Sequence, residues 1–303
     1  MKKRMFLLLT VLLFCISFLP LSVLATEGGN SHYPGTMEDF YAGLLPPEGV
    51  YLIDYMPIVQ SNRLAGNNGK EADGVDFKMD GIFNAPRILF VTPWKIAGGN
   101  FCFHIFPSAG YLHVSVNGKS QSKTGIGDLD LGPAIKWHFK DFHMVAGLDL
   151  YMPTGAYDKD DLANIGLNYW TINPLMAFTY IGGKDAPLPG FEVSGKLDYM
   201  FNTVNAATGY KSGQQFGVNY LIGQHFGSWG VGINGQWMIQ TTDDKIRNEP
   251  ANFNGNRTSW FSVGGAVSYQ LPKGSVTAKY VTDVSNKNCA KIDKILLKFV
   301  YPF

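Results

Sequence analysis

Beyond its first twenty residues the chain has no long apolar run, and that absence carries the first exclusion. No later stretch approaches the roughly 20 apolar residues that a helix needs to cross a bilayer, so a helical inner-membrane transporter is excluded. Charge is scarce as well. Asp, Glu, Lys and Arg make up 16% of the 303 residues, where a water-soluble domain carries about a quarter. The net charge is +1 and no basic stripe is present, which removes the electrostatic case for nucleic acid. Cysteine is nearly missing. Of three, Cys15 falls in the leader, without the small residues before it that a lipidation site wants. Cys102 and Cys289 lack metal-ligand spacing and read as unrelated, half-buried thiols. The six histidines are scattered and neither H-E-x-x-H nor G-x-S-x-G occurs, so no metal, cofactor or catalytic residue is expected.

What the chain does hold is aromatic side chains, at 14%, and 35 glycines, with a mean hydropathy of −0.02. That average is too polar for a helical membrane protein but suits a membrane barrel, whose strands turn every second side chain into a wet lumen. The N-terminus reads as an export signal over residues 1–25. Lys2, Lys3 and Arg4 are its charged start, Met5 to Leu19 its apolar run, and Val23-Leu24-Ala25 a cleavage site, with Pro20 arguing against a retained anchor.

From about Gly49 to the end, segments of two-residue polarity alternation are separated by turns rich in Gly, Asn, Asp and Lys. In Gly127–Phe139, Leu129, Leu131, Ile135, Trp137 and Phe139 oppose Asp128, Asp130, Lys136 and His138. In Phe142–Met152, Met144, Leu148 and Leu150 oppose His143, Asp149 and Tyr151; in Phe191–Asn202, Val193, Leu197 and Phe201 oppose Glu192, Lys196 and Asp198. Tyr51–Gln60, Phe77–Val91 and Gly98–Val116 alternate less cleanly, which a bulge at Pro86-Arg87 would explain. The expectation is an all-β fold: an antiparallel transmembrane β-barrel of about twelve strands over 49–303, free of charge on its outer face. A soluble sandwich would alternate too, but not with such aromatic apolar faces. Residues 26–48 lack the pattern and form either a partial plug of the lumen or a plain periplasmic lead-in. In the last segment Ile295, Leu297, Phe299, Tyr301 and Phe303 share one face, so Tyr301 and the terminal Phe303 are expected to be the signal read by the barrel assembly machinery.

Several turns then form an ordered set. Tyr33-Pro34-Gly35, Pro86-Arg87, Gly127-Asp128-Leu129, Pro153-Thr154-Gly155-Ala156-Tyr157 and Asn164 to Tyr169 come first; Asn205 to Gly213, Gln240 to Asp243 and Gly255-Asn256-Arg257 follow. Together they resemble the family named for the meta-pathway of phenol degradation, across nearly the whole mature chain. The resemblance implies an outer-membrane protein that admits hydrophobic or aromatic compounds, and it supplies no catalytic residues.

Two motif fragments carry no chemistry. Gly230-Val231-Gly232-Ile233-Asn234-Gly235 fits G-x-G-x-x-G but lies inside an alternating strand, where glycine relieves crowding rather than binding a dinucleotide. Gly118-Lys119-Ser120 lacks the upstream glycine of a phosphate loop and reads as a turn. The expected lumen lining is Asp128, Asp130, Lys136, His138, His143, Asp149, Glu192, Lys196 and Asp198, as a selectivity ladder or a neutralised filling network. The leading functional reading is passive uptake of a small hydrophobic solute across the outer membrane, with lipids and the assembly machinery as partners. A barrel-type lipid enzyme is the alternative, with Ser108 and either His104 or His113 the nearest nucleophile and base; so is a structural or surface-binding barrel using loops such as Thr241–Thr258.

Overall fold

The computed structural model describes residue 27 and residues 38–303, so the export signal and its cleavage site lie outside the described residues. The chain forms β1 (Gly49–Ser61), β2 (Phe77–Ile96), β3 (Gly99–Phe106), β4 (Ala109–Val116), β5 (Lys119–Ile126) and β6 (Leu129–Phe139). It continues through β7 (Phe142–Met152), β8 (Thr171–Ile181), β9 (Phe191–Asn202), the short β10 (Val204–Asn205) and β11 (Tyr210–Lys211), then β12 (Gln215–Phe226) and β13 (Trp229–Gln240). The short β14 (Lys245–Ile246) and β15 (Glu249–Pro250) precede β16 (Ser259–Gln270), β17 (Ser275–Lys287) and β18 (Asp293–Pro302).

Fourteen of these segments join one antiparallel sheet, and β1 pairs with both β18 and β2, which closes it. β3 and β4 share one register along β2, from Ile88↔Ile105 to Asn84↔Ala109, so they are a single long strand interrupted at Pro107-Ser108. β5 and β6 return in the same way, interrupted at Gly127-Asp128. The barrel therefore has twelve staves. Closure is a physical requirement, because a free edge in hydrocarbon would leave a row of backbone groups unpaired.

Alternation sorts the two faces. On β7 His143, Val145, Asp149 and Tyr151 are buried inside, while Met144, Leu148 and Leu150 turn outward. Ile222, Ile233, Val267, Tyr280, Ile295 and Leu297 are among the large apolar side chains left exposed around the wall. Such a continuous apolar band has no place in water, and it is the surface a bilayer covers. Trp94, Phe226, Trp229 and Phe303 mark the short-turn end, and Trp170, Phe201 and Trp237 the end of the long loops.

Three details differ from the sequence reading. There is no bulge at Pro86-Arg87: β1 and β2 run through it in register, Ile53↔Arg87, Asp54↔Pro86 and Tyr55↔Ala85, and the shift falls between Val91 and Lys95 against β3. The alternation of β1–β3 is blurred because their inner face is itself apolar. Ile53, Tyr55, Ala85, Leu89, Val91 and Cys102 form a small core within the lumen. The outer face is not free of charge. Asp54 of β1 faces outward, where Asn84 donates to its carboxylate at 2.7 Å, and Lys78 pairs with Asp80 at 3.3 Å.

At the long-loop end, β10, β11, β14 and β15 build a separate four-stranded sheet from the loops that follow β9 and β13. Asp244 is its tie, accepting from Tyr210 Oη at 2.6 Å, Gly213 N at 2.6 Å and Gln240 Nε2 at 2.8 Å. The Glu27 carboxylate lies against this end, accepting from Asn205 Nδ2 at 3.0 Å and Thr208 Oγ1 at 2.9 Å.

Candidate functional site

Residues 38–47 enter the lumen, and backbone chemistry explains their seat. Tyr41 takes φ 65°, which turns its N–H to the Glu192 carboxylate at 2.5 Å. The Gly43 N–H donates to Thr179 Oγ1 at 2.9 Å. A Cβ on Gly43 would stand 2.4 Å from Phe178 Cα, so only glycine allows the segment this close to β8. Phe40 fills a hollow cut by Gly223, Gly230 and Gly232, where added Cβ atoms would lie 2.8 to 3.3 Å from its ring. The G-x-G-x-x-G run thus makes room for an aromatic side chain of the same protein.

Charge fixes the segment as well. Asp39 is fully buried between Lys279, at 3.4 Å, and Lys298. Glu38 meets Arg87 at 3.8 Å, and Lys136 donates to the carbonyls of Leu45 and Pro46. Around Tyr41, His225 stacks on the phenol ring with centroids 5.1 Å apart and reaches Glu192 with Nε2 at 2.6 Å.

Above this strap a chain of ionic groups crosses the lumen. Arg87 Nη2 lies 2.9 Å from His104 Nδ1, and His104 Nε2 lies 3.3 Å from Asp130 and 3.8 Å from Asp149. Lys196 follows, 4.0 Å from Asp149 and 3.7 Å from Asp198. His104, Asp130 and Asp149 keep their ligand atoms within 4.8 Å of one another, close enough to raise the question of a metal. The tautomer argues against one. Arginine only donates, so Nδ1 accepts, Nε2 carries the proton, and the ring offers an ion no lone pair.

Of the residues expected along the lumen, Asp130, Asp149, Lys196 and Asp198 come together in that chain, and Glu192 joins the strap. Lys136 and His143 are buried near the short-turn end, with His138 exposed at the rim. Asp128 is elsewhere. It sits in the β5–β6 interruption and accepts from Gly155 N and Leu167 N, both at 2.9 Å, so it ties a loop and not the central wall. Arg87, His104, Lys279, Lys298 and Asp39 were not among the lumen-lining residues read from sequence, where Arg87 stands at an expected bulge and His104 is weighed only as a base for Ser108. Extending the same alternation along β17 and β18 puts Lys279, Asp283, Lys294 and Lys298 on the inner face, so the signal was there. Phe303, the expected end signal, is 77% exposed beside Tyr301, with ring centroids 5.8 Å apart.

Alongside the strap, from the ionic chain to the short-turn end, runs a cavity of about 950 Å³. Leu45, Leu89, Val145 and Leu175 supply apolar wall; Arg87, Lys136, Lys196 and Lys298 supply charge.

The family model for the putative MetA-pathway of phenol degradation matches residues 61–299. The chain belongs to this family. No curated protein sequence matches it. Among solved structures, the COG4313 outer membrane channel from Pseudomonas putida F1 superposes with a TM-score of 0.75 at 18% identity, over 87% of this chain and 98% of that one. The translocator domain of the autotransporter NalP from Neisseria meningitidis gives 0.49 at 11% identity, over 86% and 91%. At 18% identity the likeness to the channel speaks for the fold alone: a closed barrel of twelve strands.

Proposed function

We propose that this family member is an outer-membrane channel for passive uptake of small hydrophobic or aromatic compounds, exported by a signal cleaved after Ala25 and inserted through the Tyr301–Phe303 end. The observation that carries this is the cavity itself. It has an apolar wall inside a barrel most of whose buried charges are paired, and about 950 Å³ matches the volume of sites that hold small organic molecules, about 300–1,000 Å³. A hydrophilic pore would want open water at that wall. Residues 38–47 cross the lumen beside this cavity, and on this reading passage requires them to shift.

The enzyme reading finds less support. His104 is engaged by Arg87 and Asp130, and His113 lies 2.8 Å from Ser122 on the exposed face of β4–β5, so neither is aligned as a base for Ser108 by these contacts. The test is flux of neutral aromatic solutes into liposomes carrying the folded protein, beside conductance in planar bilayers. Solute entry above protein-free liposomes, reduced in Lys196→Met and kept in Ser108→Ala, supports the channel. No entry, with lipid hydrolysis instead, reverses the order of the two readings.

A further inference from the structure

The cations of the lumen are matched to carboxylates with one exception among the described residues. Arg87 has Glu38 at 3.8 Å, Lys196 has Asp198 at 3.7 Å, Lys279 has Asp39 at 3.4 Å, and Lys294 has Asp283 at 2.8 Å; Lys298 shares Asp39. Among the described residues Lys136 has no carboxylate within 4.0 Å. Its ammonium donates only to the neutral carbonyls of Leu45 and Pro46, and the residue is 3% exposed. The nearby Glu48 is engaged elsewhere: Asn100 donates to it at 3.0 Å and Lys95 in turn donates to Asn100 at 2.6 Å. A buried charge left without a counter-charge is costly, and two carbonyl dipoles offset only part of it.

The surroundings say what would complete it. His138 and His143 are cross-strand partners whose Nδ1 atoms lie 2.9 Å apart, so one ring donates and the other accepts. The accepting ring, when neutral, must carry its proton on Nε2, which gives the cavity rim a second N–H donor beside the third ammonium proton of Lys136. Lys136 and His138 are two residues apart on one strand and therefore share the inner face. Against them stands an apolar cluster of Ala42, Val145 and Ala177 with Leu45 and Ala134 packed on it. All but the histidine Nδ1 contact is surface of the same cavity.

We infer that this rim is a subsite for the carboxylate of an amphipathic acid, with Lys136 as its counter-ion, a histidine N–H as second donor and the apolar cluster as the seat of its hydrocarbon or aromatic body. A monoanion balances the charge of Lys136. A metal cation is repelled by it, and a fully neutral solute leaves it unmatched. This rests on the uptake reading for its purpose but not for its binding chemistry.

The experiment is calorimetric titration of the full mature chain in detergent with 3-phenylpropanoate and, separately, its carboxamide. The two differ in little but charge. The carboxylate should bind about tenfold more tightly, the size of one good charge-assisted hydrogen bond. Lys136→Met should bring it down to the affinity of the amide, which stays unchanged, and Lys136→Arg should restore the preference. Equal affinity of the two probes for the unaltered protein overturns the subsite without any variant, and so does a preference that survives in Lys136→Met. Flux in liposomes separates the two readings. Carboxylate preference without flux supports the subsite and removes the uptake role. Flux of both solutes with no binding preference keeps uptake and removes the subsite.

Discussion

Asp39 shows how much one side chain governs here. It is the carboxylate between Lys279 and Lys298, so its removal leaves two buried ammonium groups facing each other. Breaking a buried ion pair from one side costs about 3–5 kcal/mol. In this barrel the cost should fall on the seat of the strap, since the strand ladders do not depend on Asp39. Asp39→Asn is therefore expected to raise single-channel conductance in planar bilayers while the barrel stays folded. Adding Lys298→Met should return part of the blockage, because one stranded charge is gone. Gly232→Leu tests the same seat without charge. Its side chain would occupy the hollow of Phe40, and conductance should again rise. Unchanged conductance in both variants would mean that the strap is not the barrier.

At the scale of elements, Glu27 is held against the long loops by Asn205, Thr208 and Tyr157. Burial pushes its carboxyl above the usual value, against the opposing hydrogen bonds from Thr208, Asn205 and Tyr157. A group whose folded value is raised favours the docked state at low pH and loses that advantage as pH climbs through the folded value. Residue 27 should thus be held more firmly near the normal carboxylate range than at neutral pH. A spin label on Ala206→Cys, between the Asn205 and Thr208 donors, should become more mobile across that interval, and Glu27→Gln should flatten the change. How far these elements could be read from sequence depends on periodicity. β7 and β9 have the bounds expected from alternation alone, because one face meets lipid and the other a polar lumen. β5 and the small sheet of β10, β11, β14 and β15 were not foreseen. β5 stands in the extension above the wall, where neither face is uniformly apolar, and two-residue strands are too short to show a period. The order of the turn motifs did contain their meeting place. Asp128 accepts from Gly155 and Leu167, and Arg257 Nε donates to Asp243 at 2.6 Å, so separate motifs prove to be partners. Partnership of that kind is invisible in a single chain until the turns are folded together.

As a whole molecule the protein is a closed ladder with an ionic interior, and its stability should follow the ladder. Twelve paired staves leave no edge at which unfolding can begin. The folded protein should resist dodecyl sulfate at room temperature and migrate as a compact species on gels, shifting to its full apparent mass only after boiling. Strap variants such as Asp39→Asn should keep that shift, whereas a variant that loses it has damaged the wall and says nothing about the lumen. The candidate site was legible to a similar degree. Inward charges could be named wherever a strand was read face by face, as with Asp149 and Lys196. The contributions of Arg87 and His104 were hidden by the apolar inner face around them, and those of the strap by the lack of any repeat in residues 26–48.

The seat of the strap has a consequence for the order of assembly. Asp39 and Lys298 are 259 positions apart, and Tyr41 needs Glu192, which arrives 151 positions later. Residues near the head of the polypeptide therefore wait for its tail before they have anything to hold. Refolding should show a slow final event, after the cylinder has closed, in which ionic current through newly inserted molecules falls from an initially higher level to its resting value.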